Sequence, residues 1–152
     1  MQPPANNDLD LRWFLPLFIG GWCAFEVSFS IISGWYALSQ RYRSTHTVEG
    51  RLFPFASMKL GPRFFPVSYP LFVRLGLAGI SLSIFPLFRI CHPPLFIPWS
   101  AVSDCRRERH LFFMHTAVYV SEPKTRMLFA GRLGSAIYDS WSRDHAQPGR
   151  TV

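Results

Sequence analysis

Cysteines and carboxylates are scarce in this sequence. Three cysteines, Cys23, Cys91 and Cys105, are too few and odd in number to form a disulfide framework, which agrees with a reducing cytoplasmic setting. Nine Asp and Glu residues stand against 16 Lys and Arg residues, giving a formal net charge of +7. Internal repeats and low-complexity tracts are also absent. These absences exclude a disulfide-rich secreted scaffold and a repeat protein.

Signatures of metal and cofactor binding are missing as well. The residues with soft ligand atoms in the body of the chain are Cys91, His92, Cys105, His110 and His115. No Cys-x-x-Cys pair occurs, and their spacing matches no common zinc signature. Glycines near the C-terminus lack the lysine and spacing of a phosphate-binding loop. We therefore expect no metal and no other cofactor.

Signatures of catalysis are equally weak. Ser100, Cys105 and His92 carry the groups of a nucleophile and a base, but no nucleophile elbow or flanking signature accompanies them. The carboxylates of the body form no evident catalytic pair. We therefore predict that the protein is not an enzyme.

One long apolar stretch dominates the first forty residues. Trp13–Leu38 (WFLPLFIGGWCAFEVSFSIISGWYAL) contains a single ionisable residue, Glu26. As a helix rising about 1.5 Å per residue, it would extend roughly 39 Å and cross a hydrocarbon core of about 30 Å with some tilt. We interpret residues 13–39 as a transmembrane helix. A buried helix of a soluble domain is one alternative, and a signal peptide cleaved near Ala37 and Ser39 is another.

The flanking charges predict the orientation of this helix. Arg12 is the only cation before it, whereas five cations follow closely: Arg41, Arg43, Arg51, Lys59 and Arg63. Because cations remain on the cytoplasmic side, we predict an inner-membrane protein with its N-terminus outside and its body in the cytoplasm. Residues 41–152 carry 15 Lys and Arg against six Asp and Glu, a balance that favours membrane lipids or an acidic protein as partners. Nucleic acid is not expected, because most phenylalanines lie in apolar runs rather than among cations.

Glu26 lies at the middle of the predicted span, where a charged carboxylate is costly. At helical spacing it belongs to a small, polar stripe formed by Cys23, Glu26, Ser30, Ser33 and Ala37. Small and polar residues are typical of helix–helix contacts in lipid. The stripe therefore predicts contact with another transmembrane helix, either a second copy or a different subunit. The alternative is a protonated Glu26 that hydrogen-bonds within its own helix.

After a polar connector at residues 40–50, alternating polarity replaces the helical pattern and predicts strands. The predicted strands are Arg51–Lys59, a hairpin within Leu71–Phe88, Leu95–Trp99, Ala101–Glu108, and a second hairpin of Leu111–Val120 and Arg126–Ala130. Leu71–Phe88 is apolar enough to suggest a second span, but Arg74 would be costly in lipid. The last element is a helix over Leu133–Arg143, whose buried face consists of Leu133, Ile137 and Trp141.

This order of elements predicts the fold class. Six or seven short antiparallel strands followed by one helix suit a bent sheet or small barrel that the C-terminal helix closes. The pleckstrin-homology-like barrel has this layout. The predicted organisation is a tail (1–12), the span (13–39), the connector (40–50), a β-rich domain with its helix (51–145) and a second tail (146–152).

Three runs carry a resemblance to a known group of proteins. They are IISGWYAL at Ile31–Leu38, GLAGISLSIFPLFR at Gly76–Arg89 and HPPLFIPWSAV at His92–Val102. Together they resemble small, uncharacterised bacterial membrane-anchored proteins, in which a span ending in ISGW precedes a β-rich body with an HPPL-x-IPW motif. The resemblance implies an architecture and no activity.

Two sets of residues in the body are candidate sites. His92 and Trp99 lie in the most specific of these runs and suggest a binding site, but the prolines around them favour a corner with Trp99 in the core beneath it. Arg106, Arg107 and Arg109 form the densest cationic cluster. It predicts a patch for anionic headgroups or an acidic partner, and a solvated edge is the alternative.

These observations predict a non-enzymatic, membrane-anchored binding or structural protein. The function we expect is that of an accessory subunit that docks on a larger membrane protein complex through the stripe and the surface of the domain. The alternative is a peripheral sensor whose domain binds anionic lipid headgroups or a peptide.

Overall fold

The computed structural model describes residues 11–45, 48–61, 67–89, 91–110 and 113–146. The helices are α1 (Leu11–Ser33), α2 (Trp35–Tyr42) and α3 (Gly131–Ala146). The strands are β1 (Arg51–Leu60), β2 (Val67–Leu75), β3 (Gly79–Ile84), β4 (Leu95–Pro98), β5 (Val102–His110), β6 (Phe113–Val120) and β7 (Thr125–Ala130). Most of the two predicted tails lies outside the described residues. The predicted sequence of an apolar helix, antiparallel strands and a C-terminal helix is confirmed.

The N-terminal helix is shorter than predicted. It ends at Ser33, because Gly34 adopts left-handed backbone angles (φ 86°, ψ 5°) that residues other than glycine rarely adopt. The chain then turns into α2, where Trp35 and Leu38 are completely buried in the domain. Trp35, Leu38 and Ser39 are therefore buried in the body, whereas Tyr36 and Ala37 of the same helix are exposed. The connector predicted at residues 40–50 begins within α2, which continues to Tyr42. Arg43 then forms an antiparallel bridge with Leu95.

Among the described residues, one helix is long and apolar enough to cross a membrane. It covers Arg12–Ser33, and only 11% of its apolar 18-residue stretch is buried inside the protein. Its exposed side chains are mostly bulky and apolar, including Phe14, Leu17, Phe18 and Phe25. Along this segment, α1 therefore presents apolar surface that the rest of the described chain does not cover.

Seven antiparallel strands form one curled sheet in the order β4-β3-β2-β1-β7-β6-β5. The hairpin predicted within Leu71–Phe88 is confirmed as β2 and β3, which pair from Leu71↔Ile84 to Leu75↔Ile80. On β3, Ile80, Leu82 and Ile84 are buried, whereas the intervening serines are half-buried. The burial alternates along β3 because successive side chains of a strand point to opposite faces of the sheet. We call the face opposite the core the outer face.

The concave side of the curled sheet encloses the core. Trp35 and Leu38 of α2 enter it near one end, and Leu133 and Ile137 of α3 enter it near the other. Helix α2 also contacts Glu122 in the turn between β6 and β7. The Arg41 guanidinium lies 2.8 Å from the Glu122 carboxylate, and the Tyr42 hydroxyl donates a 2.6 Å hydrogen bond to the Glu122 backbone carbonyl. Both helices thereby close the open sides of the half-barrel.

Candidate functional site

The β3–β4 connection packs along α1. We call this connection, residues 85–89 and 91–94, the corner. It begins with a 3-10 turn at Pro86–Phe88 and continues through Cys91 to Pro94. The ring of Phe88 lies 5.9 Å from that of Trp22, and the hydroxyl of Ser30 donates a 2.9 Å hydrogen bond to the Cys91 carbonyl. The C-terminal half of α1 is therefore attached to the body through the corner.

A buried polar network forms the centre of this helix–corner contact. Glu26 is 4% exposed, and its Oε2 lies 3.4 Å from Nδ1 of His92, which is also buried. The Tyr69 hydroxyl donates a 2.6 Å hydrogen bond to Ser33 Oγ and lies 3.4 Å from Nε2 of His92. His92 Nδ1 itself has no hydrogen bond of good geometry, so its approach to Glu26 is a close polar contact. The network joins α1, β2 and the corner.

Trp35 extends the contact from α2. Its indole nitrogen donates to the Pro93 carbonyl at 3.2 Å, and its ring lies 5.4 Å from that of Tyr69 and 5.7 Å from that of His92. Pro93 has a fixed φ angle and no N–H, so its carbonyl is presented from a rigid turn. The aromatic rings enclose the polar groups and exclude water from them.

Burial determines the protonation of the two titratable groups that the body contributes. It lowers the pKa of His92 below its ordinary value of 6.5, and the carbonyl of Phe88 opposes this effect. Burial also raises the pKa of Tyr69 to about 12, while its hydrogen bond to Ser33 lowers that pKa and the charge of Glu26 raises it further. Both side chains are therefore neutral at pH 7, which suits an enclosed contact poor in water.

The structure distributes the predicted stripe over two environments. Glu26, Ser30 and Ser33 are buried against their own chain, where Glu26 and Ser30 contact the corner and Ser33 contacts Tyr69 of β2. Cys23 is half-buried, and Ala37 lies exposed on α2 beyond the bend at Gly34. Contact of the stripe with a second transmembrane helix stays a prediction. The contacts that join Glu26, His92 and Tyr69 were not predicted from the sequence, although His92 and Ser33 belong to two of the runs that carry the resemblance.

The arginine cluster on β5 is divided between the two sheet faces. Arg106 pairs with Asp104, and its guanidinium lies over the ring of Tyr119 on the outer face. Arg107 pairs with Asp139 of α3 at 3.2 Å and lies over the ring of Tyr138. Arg109 is exposed near the end of the strand. The three arginines therefore form no single patch, and two of them are neutralised by carboxylates of the same chain.

The remaining candidates for chemistry are separated or sequestered. Burial and the charge of Asp104 raise the pKa of the Cys105 thiol to about 12, against the lowering effect of Arg107, so it is protonated at neutral pH. Trp99 is buried in the core, as the corner interpretation expects. Within the described ranges, no three His, Cys, Asp or Glu side chains come together as a metal site would require.

Comparisons with known proteins give few matches. No protein-family model matches the chain, and no curated protein matches it. Among solved structures, the chain is similar to the crystal structure of the C-terminal domain of an unknown protein from Leishmania infantum. The two share 9% sequence identity over 64% of this chain and 85% of that chain, with a TM-score of 0.46. A likeness of this size supports no inference about the function of this chain.

Proposed function

We propose that this is a non-enzymatic, membrane-anchored docking protein that serves as an accessory subunit of a larger membrane complex. Helix α1 crosses the bacterial inner membrane with its N-terminus outside, and the curled sheet lies at the cytoplasmic surface. The strand order with a C-terminal helix further supports a pleckstrin-homology-like architecture, here in the form of a half-barrel. The helix–corner contact supports this proposal because it holds the domain in one orientation relative to the anchor.

The observation that carries the proposal is the free edge of β5. This nine-residue strand is the last in the sheet and, among the described strands, pairs only with β6. An edge strand presents unpaired N–H and C=O groups to which a partner strand can add. Arg109 is exposed on this edge, and Arg106 and Arg107 lie beside it, each paired with a carboxylate of the same chain. Cations still outnumber carboxylates along β5, so a partner segment that carries carboxylates would match its charge. Charged edges also discourage non-specific pairing, which favours a specific partner.

Charge reversal on the edge tests this docking site. We expect the full-length protein, extracted in a mild detergent, to migrate on a native gel with a larger complex. Arg106→Glu combined with Arg109→Glu should reduce the fraction in that complex by about fivefold, because rim charges contribute steering and modest affinity. Arg51→Glu combined with Arg132→Glu changes the charge equally at two exposed positions off β5 and should leave the complex intact.

Two results would contradict the proposal. One is a wild-type protein that migrates alone with bound lipid, which would favour the peripheral sensor. The other is an equal loss of the complex in both double variants, since this would trace the effect to net charge rather than to the β5 edge.

A further inference from the structure

The position of the corner along α1 determines how deep the body reaches into a membrane. The contacts between them extend from Trp22 to Ser30, which is roughly 12 Å of helix at about 1.5 Å per residue. A hydrocarbon core is about 30 Å thick. When Arg12–Ser33 crosses the bilayer, the corner therefore lies within the leaflet nearest the domain and not in the water outside that leaflet.

The corner is suited to that position. Phe85 and Pro86 are exposed at its start, and the ring of Phe88 stacks on α1. Its polar centre, His92, is turned inward and buried against Glu26. His92 is thus covered and apolar side chains are exposed, whereas Arg89 is the one charged side chain that the described corner exposes.

A cleft of about 690 Å³ opens between the corner and the outer face of the sheet. Its polar lining includes Arg74 of β2, Arg89 of the corner, and Ser81 and Ser83 of β3. The guanidinium of Arg89 donates a 2.8 Å hydrogen bond to Ser83 Oγ. Two guanidinium groups and two hydroxyls thus line one cavity.

No carboxylate balances these cations among the residues that line the cleft. Most carboxylates of the described body contact cations elsewhere, as in Glu122 with Arg41, Asp139 with Arg107 and Glu108 with Arg126. The cleft therefore keeps an uncompensated positive charge. Guanidinium groups match phosphate oxygens in geometry as well as in charge.

A row of three aromatic rings, Phe55, Phe72 and Phe85, extends out of the cleft, and we call this row the ladder. The ring of Phe72, in its lining, lies 5.4 Å from that of Phe55 and 6.4 Å from that of Phe85. Phe55 occupies a β-bulge of β1 with a positive φ of 51° and is 75% exposed. A residue with a Cβ adopts such angles only when the surroundings impose them, and here the bulge places an aromatic ring in solvent beside the cleft. The ladder offers an apolar surface to an acyl chain.

We propose that this cleft binds an anionic phospholipid of the leaflet that holds the corner. Its phosphate lies on Arg74 and Arg89 with Ser81 and Ser83, and its acyl chain follows Phe72 and Phe85. The inference shares the membrane position of α1 with the proposed function but does not depend on the β5 edge. A bare phosphate is the weaker fit because it would leave the ladder uncovered.

Lipid titration of the purified full-length protein tests this site. We expect native mass spectrometry from a mild detergent to show one phosphatidylglycerol retained in preference to phosphatidylcholine. Arg74→Gln combined with Arg89→Gln should weaken retention of phosphatidylglycerol about tenfold, because two cations near the phosphate are lost. Arg132→Gln combined with Arg143→Gln removes equal charge at two exposed positions of α3 outside the cleft and should change retention less than about twofold.

The controls separate the site from general charge effects. Arg89→Lys keeps the charge but loses the planar fork, so it should give an intermediate affinity even if the double variant folds poorly. Glycerol phosphate in excess should fail to displace the lipid. Unchanged retention in the Arg74/Arg89 variant, equal loss in both double variants, or full displacement by glycerol phosphate would each overturn the proposal while leaving docking at β5 untouched.

Discussion

Replacing Trp35 by alanine is expected to reduce the stability of the body by about 3–5 kcal/mol, the range found for large aromatic residues removed from protein cores. Trp35 is 0% exposed, and its ring contacts Tyr69 and His92 while its indole nitrogen donates to Pro93. The substitution leaves a cavity and an unpaired carbonyl where the body meets α1. Thermal unfolding of the detergent-solubilised protein, followed by circular dichroism, measures the loss.

The matched control is Trp13→Ala. Trp13 lies on α1 with 76% of its surface exposed, so this variant should unfold close to the wild-type temperature in detergent. Trp35→Phe keeps the ring volume in part and should fall between the two. Equal stability of Trp35→Ala and Trp13→Ala would show that α2 does not enter the core as described.

Replacing Gly79 by alanine is the second substitution with a large expected effect. Gly79 opens β3 opposite Pro98 with a φ of 157°, and an added Cβ would lie 2.2 Å from the Ile97 carbonyl oxygen and 2.7 Å from Cα of Pro98. These are backbone atoms, so the clash can be relieved only by moving β4 away from β3. We expect a loss of about 2 kcal/mol or more, measured by the same thermal unfolding.

Gly21→Ala is the control for this substitution, because nothing lies within 4 Å of a Cβ added there. It should leave the unfolding temperature unchanged or raise it slightly, since alanine favours helix over glycine. A Gly79→Ala protein that unfolds like Gly21→Ala would contradict the close β3–β4 pairing. That pairing matters for function because β4 follows directly from the corner.

The sheet could be predicted from the sequence because one of its faces is buried. Burial of one face imposes an apolar residue at every second position, as Ile80, Leu82 and Ile84 illustrate on β3. The same pattern distinguished the β2–β3 hairpin from a second span, even though both are rich in apolar residues. Arg74, which a span would reject, lies in the cleft on the outer face.

The end of the N-terminal helix could not be predicted in the same way. Trp35 and Leu38 suit a protein core as well as lipid, so composition does not separate the two environments. Only the backbone of Gly34 separates them, and a glycine within an apolar helix does not by itself predict a bend. The predicted span at residues 13–39 therefore runs past the end of α1 at Ser33 and includes the first five residues of α2.

The helix–corner contact also had no signal in local spacing. Ser30 and Cys91 are 61 positions apart, and Tyr69 and Ser33 are 36 apart, so no periodicity relates them. Its position in an apolar stretch predicts that Glu26 needs a partner, and the two partners expected from the sequence were another transmembrane helix and its own helix. The structure gives it His92 of the same chain, 3.4 Å away.

Alkaline carbonate extraction tests the central claim that α1 lies in a bilayer. Only 11% of the apolar 18-residue stretch within Arg12–Ser33 is buried in the protein. This exposed apolar surface should keep the full-length protein in the membrane pellet until detergent is added. Recovery of the protein in the supernatant of this extraction, without detergent, would contradict the anchor, and with it the proposed membrane docking role and the proposed lipid site.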